Sequence, residues 1–577
     1  MHPATDVRGV LYRGGSILTA DPAQPRADAV ATRAGRILAV GSERECRSVL
    51  GLDDEPSAPA SPQIVELGGR ALTPGFVDAH LHPMAMCYYA YHLDLSATRS
   101  IADLLDALRD RARTTAPGEW IIGTQLSAEQ LAERRLPTIA ELDAVGTGGA
   151  VVLLCRDGHS SIGNTLALVA AGIRGTRTDP PGGAFERDES GRLTGVCRET
   201  ATRILLTMLP LPDLDQLQPR VQQVFHELAS HGITSVGMIL QTDGEGPGGP
   251  AGELESVGMM IYADHLPLGC HSILCGDPAR AIDARNSSTL HDPADNRVVG
   301  GVKLFLDGTL GGRTACLHQP FADAPGQRGW LTIEPELAAA RMETIHLAGL
   351  QICVHAIGDA ANALALDLFS DLLERHPAAP GQGPRHRIEH ASVLDEQSAE
   401  RFAELGITAV VQPLFIRSEA AWLCDRLGPE RSRRTYPFRS LLDAGVVVAG
   451  SSDAPLEEPD VLAGMAAAVT RHGFEPAQAI TAAEALDAYT RGGALAQQRE
   501  HLTGRLAEGL RADLVILSAD PTAVPGEQIA DIDVCATVVG GEVVYQTPSG
   551  PSTLGINASV KPERNQSSAK VTRRLTR

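Results

Sequence analysis

The chain predicts an α/β protein: a metal-binding (β/α)8 TIM barrel, with a small β domain built from both termini and an α/β insertion after the first barrel strand. Three observations predict it. The middle of the chain alternates short apolar runs with amphipathic segments, the pattern of parallel βα units. The two ends are instead rich in short strands and turns. His80-Leu81-His82 opens a series of metal-ligand residue types that recur at the ends of later apolar runs.

The β domain comes first. Val10-Leu11-Tyr12, Ile17-Leu18, Ala29-Val30-Ala31, Ile37-Leu38-Ala39-Val40 and Ile64-Val65-Glu66-Leu67 are apolar runs separated by Gly, Pro and Asp clusters. Ala512 to Leu517, Val534 to Val539 and Glu542 to Tyr545 read the same way. Residues 8–74 plus 505–546 are therefore assigned to one small domain.

Residues 75–504 are assigned to the barrel. Its strands are predicted at Gly75–His82, Ile233–Met238, Leu266–Leu274, Val302–Leu306, Gln351–His355, His386–His390, Thr408–Gln412 and Val446–Gly450. Helices such as Glu336–Ala348, Ala360–Arg375 and Glu396–Leu405 lie between them. The stretch 83–232 is too long for one crossover. It carries the amphipathic Ile101–Arg113, the strands Trp120–Gly123 and Val151–Leu154, and a Gly/Pro turn at 179–183, so an inserted α/β subdomain is expected at about 96–215. The tail 547–577, rich in Ser, Pro, Asn and Lys/Arg, is expected to be disordered.

Composition narrows the function. Of 577 residues, 43% are hydrophobic and 21% charged, as in a globular protein. A net charge of −21 argues against nucleic-acid binding, which needs a basic face. No apolar run reaches membrane-spanning length and the N-terminus lacks a signal-peptide pattern, so no membrane partner is expected. Ten scattered cysteines without a CxxC pair read as reduced core thiols, which places the chain in the cytoplasm.

The ligand types come next. Alternate residues of a strand face the same way, so His80 and His82 present two imidazoles to one ion. His355 and His390 end the fifth and sixth predicted strands, and Asp453 follows the eighth. Lys303 lies in the fourth; a protonated ammonium repels a cation, but its CO2-derived carbamate is an anion able to bridge two metals. Each residue alone has a plainer reading: core histidines, a Lys303–Asp307 ion pair, a helix cap at Asp453. Five or six separate strand ends carrying ligand types by accident is the harder reading to sustain.

The resemblance that follows spans about Val10 to Tyr545. Leu72-Thr-Pro-Gly-Phe-Val-Asp-Ala-His-Leu-His-Pro83, Gly301 to Ala315, Val354-His-Ala-Ile-Gly-Asp-Ala360, Arg387-Ile-Glu-His-Ala391, Gly450-Ser-Ser-Asp-Ala-Pro455 and Gly504 to Val515 resemble, in order, the motifs of the amidohydrolase superfamily. The likeness is greatest to its YtcJ-like amidohydrolase-3 branch, which includes N-substituted formamide deformylases. The resemblance implies a β-sandwich for the terminal domain. It implies that His80, His82 and Asp453 hold one divalent ion, expected to be Zn2+, that His355 and His390 hold a second, and that a carboxylated Lys303 bridges them.

The expected reaction is hydrolysis of a non-peptide C–N bond in a small-molecule amide. Metal binding lowers the pKa of a coordinated water to generate the nucleophile, and Asp453 acts as general base and then acid. Substrate-binding candidates are His159 and Asn164, in a segment resembling the branch's Asp-x-His-x-x-x-x-Asn, together with Asp307 and Arg313. The branch often carries an aromatic inside that segment, where this chain has Ser161 and Ile162. Glu199 reads as a pocket wall or a helix-start carboxylate. The alternatives are a deaminase on the same barrel, or an inactive regulatory homologue. Lys303, and Gly358-Asp359 in place of a glutamate after His355, rank the deaminase lower. A homodimer is expected only by analogy with the family.

Overall fold

The computed structural model describes residues 9–52, 62–146, 148–210, 214–241, 266–287, 291–292, 296–377, 383, 385–548 and 550–551. The tail expected to be disordered falls outside them from 552 onward, as does Ser549. No helix among the described residues is long and apolar enough to cross a membrane.

Both termini build one eight-stranded sheet. Ala71–Pro74 from the N-terminal half pairs antiparallel with Leu514–Leu517 from the C-terminal half, with Thr73 opposite Val515. Tyr12, Ile17, Val30, Leu72, Leu514, Ile516 and Val538 share its core. The two short runs predicted near the N-terminus are one strand, Val10–Leu18, whose register shifts between Arg13 and Ile17. Gly14, at φ 75, supplies the left-handed turn that this irregularity needs.

The barrel is a parallel sheet of Phe76–Leu81, Ile233–Gln241, Gly269–Cys275, Arg297–Phe305, Gln351–Ala356, Arg387–His390, Thr408–Val411 and Val448–Gly450, in chain order around the ring. These strands are almost entirely buried, because helices cover them outside and side chains fill them inside; hence their near-continuous apolar runs. The fourth starts at Arg297 rather than Val302. A Cβ at Gly300 would lie 1.9 Å from the buried His271 ring. The glycine admits that imidazole into the barrel interior.

The seam between the last and first strands is closed just beyond the eighth strand. The Asp453 amide donates to His80 O at 2.9 Å, and the His82 amide to Ala454 O at 2.7 Å. Asp78 accepts from the Ser452 amide at 3.1 Å and also from its hydroxyl.

The insertion folds as a six-stranded sheet with strands Leu93–Asp94, Ile121–Leu126, Val151–Cys155, Ser160–Gly163, Gly183–Arg187 and Leu193–Glu199. Two of these were legible. The others are short or rich in Gly, Ser and Arg, and only their pairing makes them strands.

Candidate functional site

Six predicted ligand-type residues meet at the C-terminal mouth of the barrel. His80 and His82 leave the first strand with ring centroids 5.4 Å apart. Asp453 Oδ1 lies 3.1 Å from His82 Nε2 and 3.5 Å from His80 Nε2, and one ligand atom from each of the three lies within 4.8 Å of the others. Lys303 Nζ is 3.3 Å from His80 Nε2 and sits over the Phe305 ring. The His390 ring is 5.2 Å from His80 and 4.5 Å from His355. No Lys303–Asp307 ion pair forms; Asp307 instead accepts from the amides of Cys316, Ile357 and Gly358.

Local backbone explains how adjacent residues both reach the centre. Arg387 and Glu389 point into the barrel, two apart on one strand, so His390 would point outward in regular geometry. At φ 75 it turns back toward the mouth. Asp453, at φ 58, makes a similar turn after the eighth strand. Non-glycine residues held at such angles cost of order 1–3 kcal/mol each, and they concentrate at functional sites.

The rings are fixed from behind. His80 Nδ1 lies 2.6 Å from Glu389 Oε2, and His390 Nδ1 lies 2.8 Å from Gln412 Oε1. Donation from Nδ1 in each case leaves Nε2 with its lone pair toward the centre. His355 Nε2 meets Gly308 O at 3.2 Å, and its buried Nδ1 has no hydrogen-bond partner among the described residues. Asp453 Oδ1, for all its closeness to two imidazoles, makes no hydrogen bond of good geometry. Glu389 is itself held by the buried Arg387 guanidinium, which also donates to Ala79 O at 3.0 Å. Sequence reasoning passed over Glu389 and Gln412. Glu389 was visible only as an inward neighbour of a ligand, and nothing local marked Gln412.

The electrostatics favour ligand forms. Burial lowers His80 and His355 well below the ordinary imidazole value and takes His390 down to about 4, with Lys303 and neighbouring imidazoles adding to the effect. Burial opposes ionisation of Asp453, but its proximity to His80 and His82 holds it well below the usual carboxylate range. Neutral imidazoles and an ionised carboxylate are what a divalent ion coordinates. Crowded lone pairs, an orphaned His355 nitrogen and ring orientations fixed by outer partners all fit a metal centre.

A cavity of about 890 Å3 opens over these residues, lined at its base by His355, His390 and Asp453. That is within the range of small-molecule sites. His159 also lines it, with its ring 4.9 Å from His355. Its Nδ1 meets Glu199 Oε2 at 2.7 Å, and Glu199 also accepts from Thr314 Oγ1. Burial alone would lower His159; the Glu199 charge and hydrogen bond outweigh it and raise the imidazole. Glu199 begins a helix but caps it with no side-chain bond, so the helix-start reading gives way to its partnership with His159.

The other substrate-binding candidates separate. Asn164 is buried under the insertion sheet, where Oδ1 accepts from the Val151 and Ala167 amides and Nδ2 donates to Gly149 O. It caps a helix and does not line the cavity. Asp307 is a buried clamp between the loops after the fourth and fifth strands, likewise off the cavity wall. Arg313 does line it, paired with Asp323 at 2.7 Å.

Comparison with known proteins agrees with this geometry. The sequence profile of the amidohydrolase family matches residues 63–545. The chain is 30% identical over 557 residues to YtcJ of Bacillus subtilis (strain 168), covering 93% of this chain and 99% of that protein. It is 27% identical over 560 residues to the N-substituted formamide deformylase of Arthrobacter pascens, covering 94% and 99%. The crystal structure of an uncharacterized metal-dependent hydrolase from Pyrococcus horikoshii OT3 superposes with a TM-score of 0.68 at 26% identity, covering 90% of this chain and 99% of that one. With barrel, ligand types and family motifs in agreement from end to end, the chain belongs to the amidohydrolase family and is a metal-dependent hydrolase of its YtcJ-like branch.

Proposed function

We propose that this protein hydrolyses a non-peptide C–N bond, an amide of a small molecule, at the centre formed by His80, His82, Lys303, His355, His390 and Asp453. The observation that carries the reading is the grouping of His80, His82 and Asp453 within ligand distance of one another, with Asp453 also lining the cavity. The formamide deformylase among the relatives supports a C–N bond as the target.

Zn2+ is the ion proposed, since imidazole and carboxylate donors suit it. A divalent ion there supplies Lewis acidity, which makes water nucleophilic near neutral pH. Asp453 Oδ1 takes the proton from the attacking water and returns it to the departing nitrogen, since an amide anion leaves poorly. His159, protonated with Nδ1–H donated to Glu199, offers Nε2–H to the substrate carbonyl oxygen as charge grows on it. Lys303 is proposed to carry a carbamate and so to support a second ion. Burial lowers its amine from the ordinary value, which favours the neutral form that adds CO2.

The test is a screen of the zinc-loaded protein against formamides, acyl amino acids, lactams and hydantoins, beside Asp453→Asn. Asp453→Asn should fold, retain zinc in part, and lose turnover by at least 1,000-fold, of the order lost when a proton-transfer group and its orienting contact go together. Full turnover in that variant would remove the mechanism. Lys303→Ala should lose activity that added short carboxylic acids partly restore.

A further inference from the structure

One wall of the cavity is a single helix face. Phe415, Ser418, Glu419, Trp422 and Arg426 recur at helical spacing along Phe415–Leu427, and all five line the cavity. The wall starts at the centre itself: the Phe415 ring lies parallel to that of His390, 5° between planes and 6.5 Å between centroids. Glu419 is one helical turn further out.

Most charges around this wall are matched. Arg426 sits over the Trp422 ring and meets Asp323 at 2.8 Å and Glu129 at 3.1 Å. Arg156 pairs with Glu457, Arg198 with Glu186 and Arg313 with Asp323. Glu419 accepts a hydrogen bond from the Tyr436 hydroxyl, and no cation lies within ion-pair distance of it among the described residues. Tyr436 is rigidly placed. Its amide donates to Ser392 O at 2.7 Å, and the buried Arg471 donates to Tyr436 O at 2.9 Å and to Thr435 O at 3.1 Å. A carboxyl is thus pinned from behind, flanked by aromatic rings, and left without an ion-pair partner, Arg426 acting on it only from beyond that distance.

We propose that Glu419, held by Tyr436 beside Phe415 and Trp422, is the subsite for a cationic amine group, so that the preferred substrates are small amides bearing an ammonium or amidinium group. This deepens the amide-hydrolase reading and rests on it for the reaction, though not for the binding. Aromatic walls around a carboxylate suit an organic cation, which gains both charge pairing and ring contact. In its absence, burial lifts Glu419 to about 8, with Glu457 and Glu129 adding to the effect against the Tyr436 bond and the Arg426 charge. Binding a cation releases that proton.

The test is calorimetric titration of the zinc-loaded protein with 2-phenylethylammonium and with the neutral 2-phenylethanol. The ammonium should bind at least tenfold more tightly than the alcohol. Glu419→Gln, with its fold checked by melting, should erase that preference, and Tyr436→Phe should weaken it several-fold. If Glu419→Gln fails to fold, Glu419→Met, which also removes the charge, is read the same way. Ammonium affinity unchanged by Glu419→Gln, or equal affinity for the alcohol in the unaltered protein, overturns the proposal. Loss of ammonium binding in Asp453→Asn instead would place the probe on the metal and overturn it too. Glu419-dependent binding in a protein that hydrolyses no amide would sink the hydrolase reading and leave this one standing.

Discussion

Replacing Glu389 with Gln exchanges the carboxylate behind His80 for an amide and leaves the fully buried Arg387 without its anion. Loss of an outer carboxylate weakens a metal site by roughly 10- to 100-fold, and breaking a buried ion pair costs about 3–5 kcal/mol. Zinc content after dialysis against a weak chelator should fall, and the melting temperature with it; unchanged zinc retention would show that His80 needs no such support. Glu199→Gln acts on the other side of the cavity. Because Glu199 raises His159, its removal lets burial lower that imidazole, and protonated His159 is lost at lower pH. The alkaline limb of kcat/KM should therefore move to lower pH; an unmoved limb would limit Glu199 to holding the loop. At this scale the sequence disclosed what periodicity controls. His80 and His82, two apart on a strand, announced themselves. His390 was placed by a left-handed backbone turn, and Gln412 by the register of a neighbouring strand, neither of which residue type encodes.

The elements that matter most are the ones that meet at the seam. Asp78 receives three hydrogen bonds there, from the His80 and Ser452 amides and the Ser452 hydroxyl. Asp78→Ala leaves at least two buried donors unpaired at about 1–3 kcal/mol each. It should lower stability by several kcal/mol in denaturant titration and reduce metal content, since Asp453 directly follows Ser452. A stability loss with metal content intact would show that the ligands are set independently of the seam. Most elements were readable because long periodic segments declare their type: the helix predicted at Ala360–Arg375 is Asp359–Arg375. Reading fell short at the fourth strand, which starts at Arg297 rather than Val302, and where strands such as Ser160–Gly163 acquire their form only from neighbours.

For the molecule as a whole, ligand binding is linked to stability. An ion that binds only the folded chain adds about 2.7 kcal/mol at a concentration 100 times its Kd. Chelation should lower both the melting temperature and activity, and stoichiometric Zn2+ should restore them; a melting temperature indifferent to chelation would show that the centre does not bind metal tightly. The barrel as a whole was legible because eight strand–helix units leave few other closures. The cavity was not, since its walls come from segments as distant as Glu129, Glu186, Arg313 and Trp422, and no local pattern says that these share one space.

The seam has a consequence for biosynthesis. Its first side is made from residues near position 80 and its second from residues near 453, and the terminal sheet is completed only when 514–517 reach 71–74. A nascent chain carries His80 and His82 through most of translation without their carboxylate partner. Ribosomal products cut short before that point therefore lack a finished reaction centre, and the cell meets the hydrolase only as a nearly full-length polypeptide.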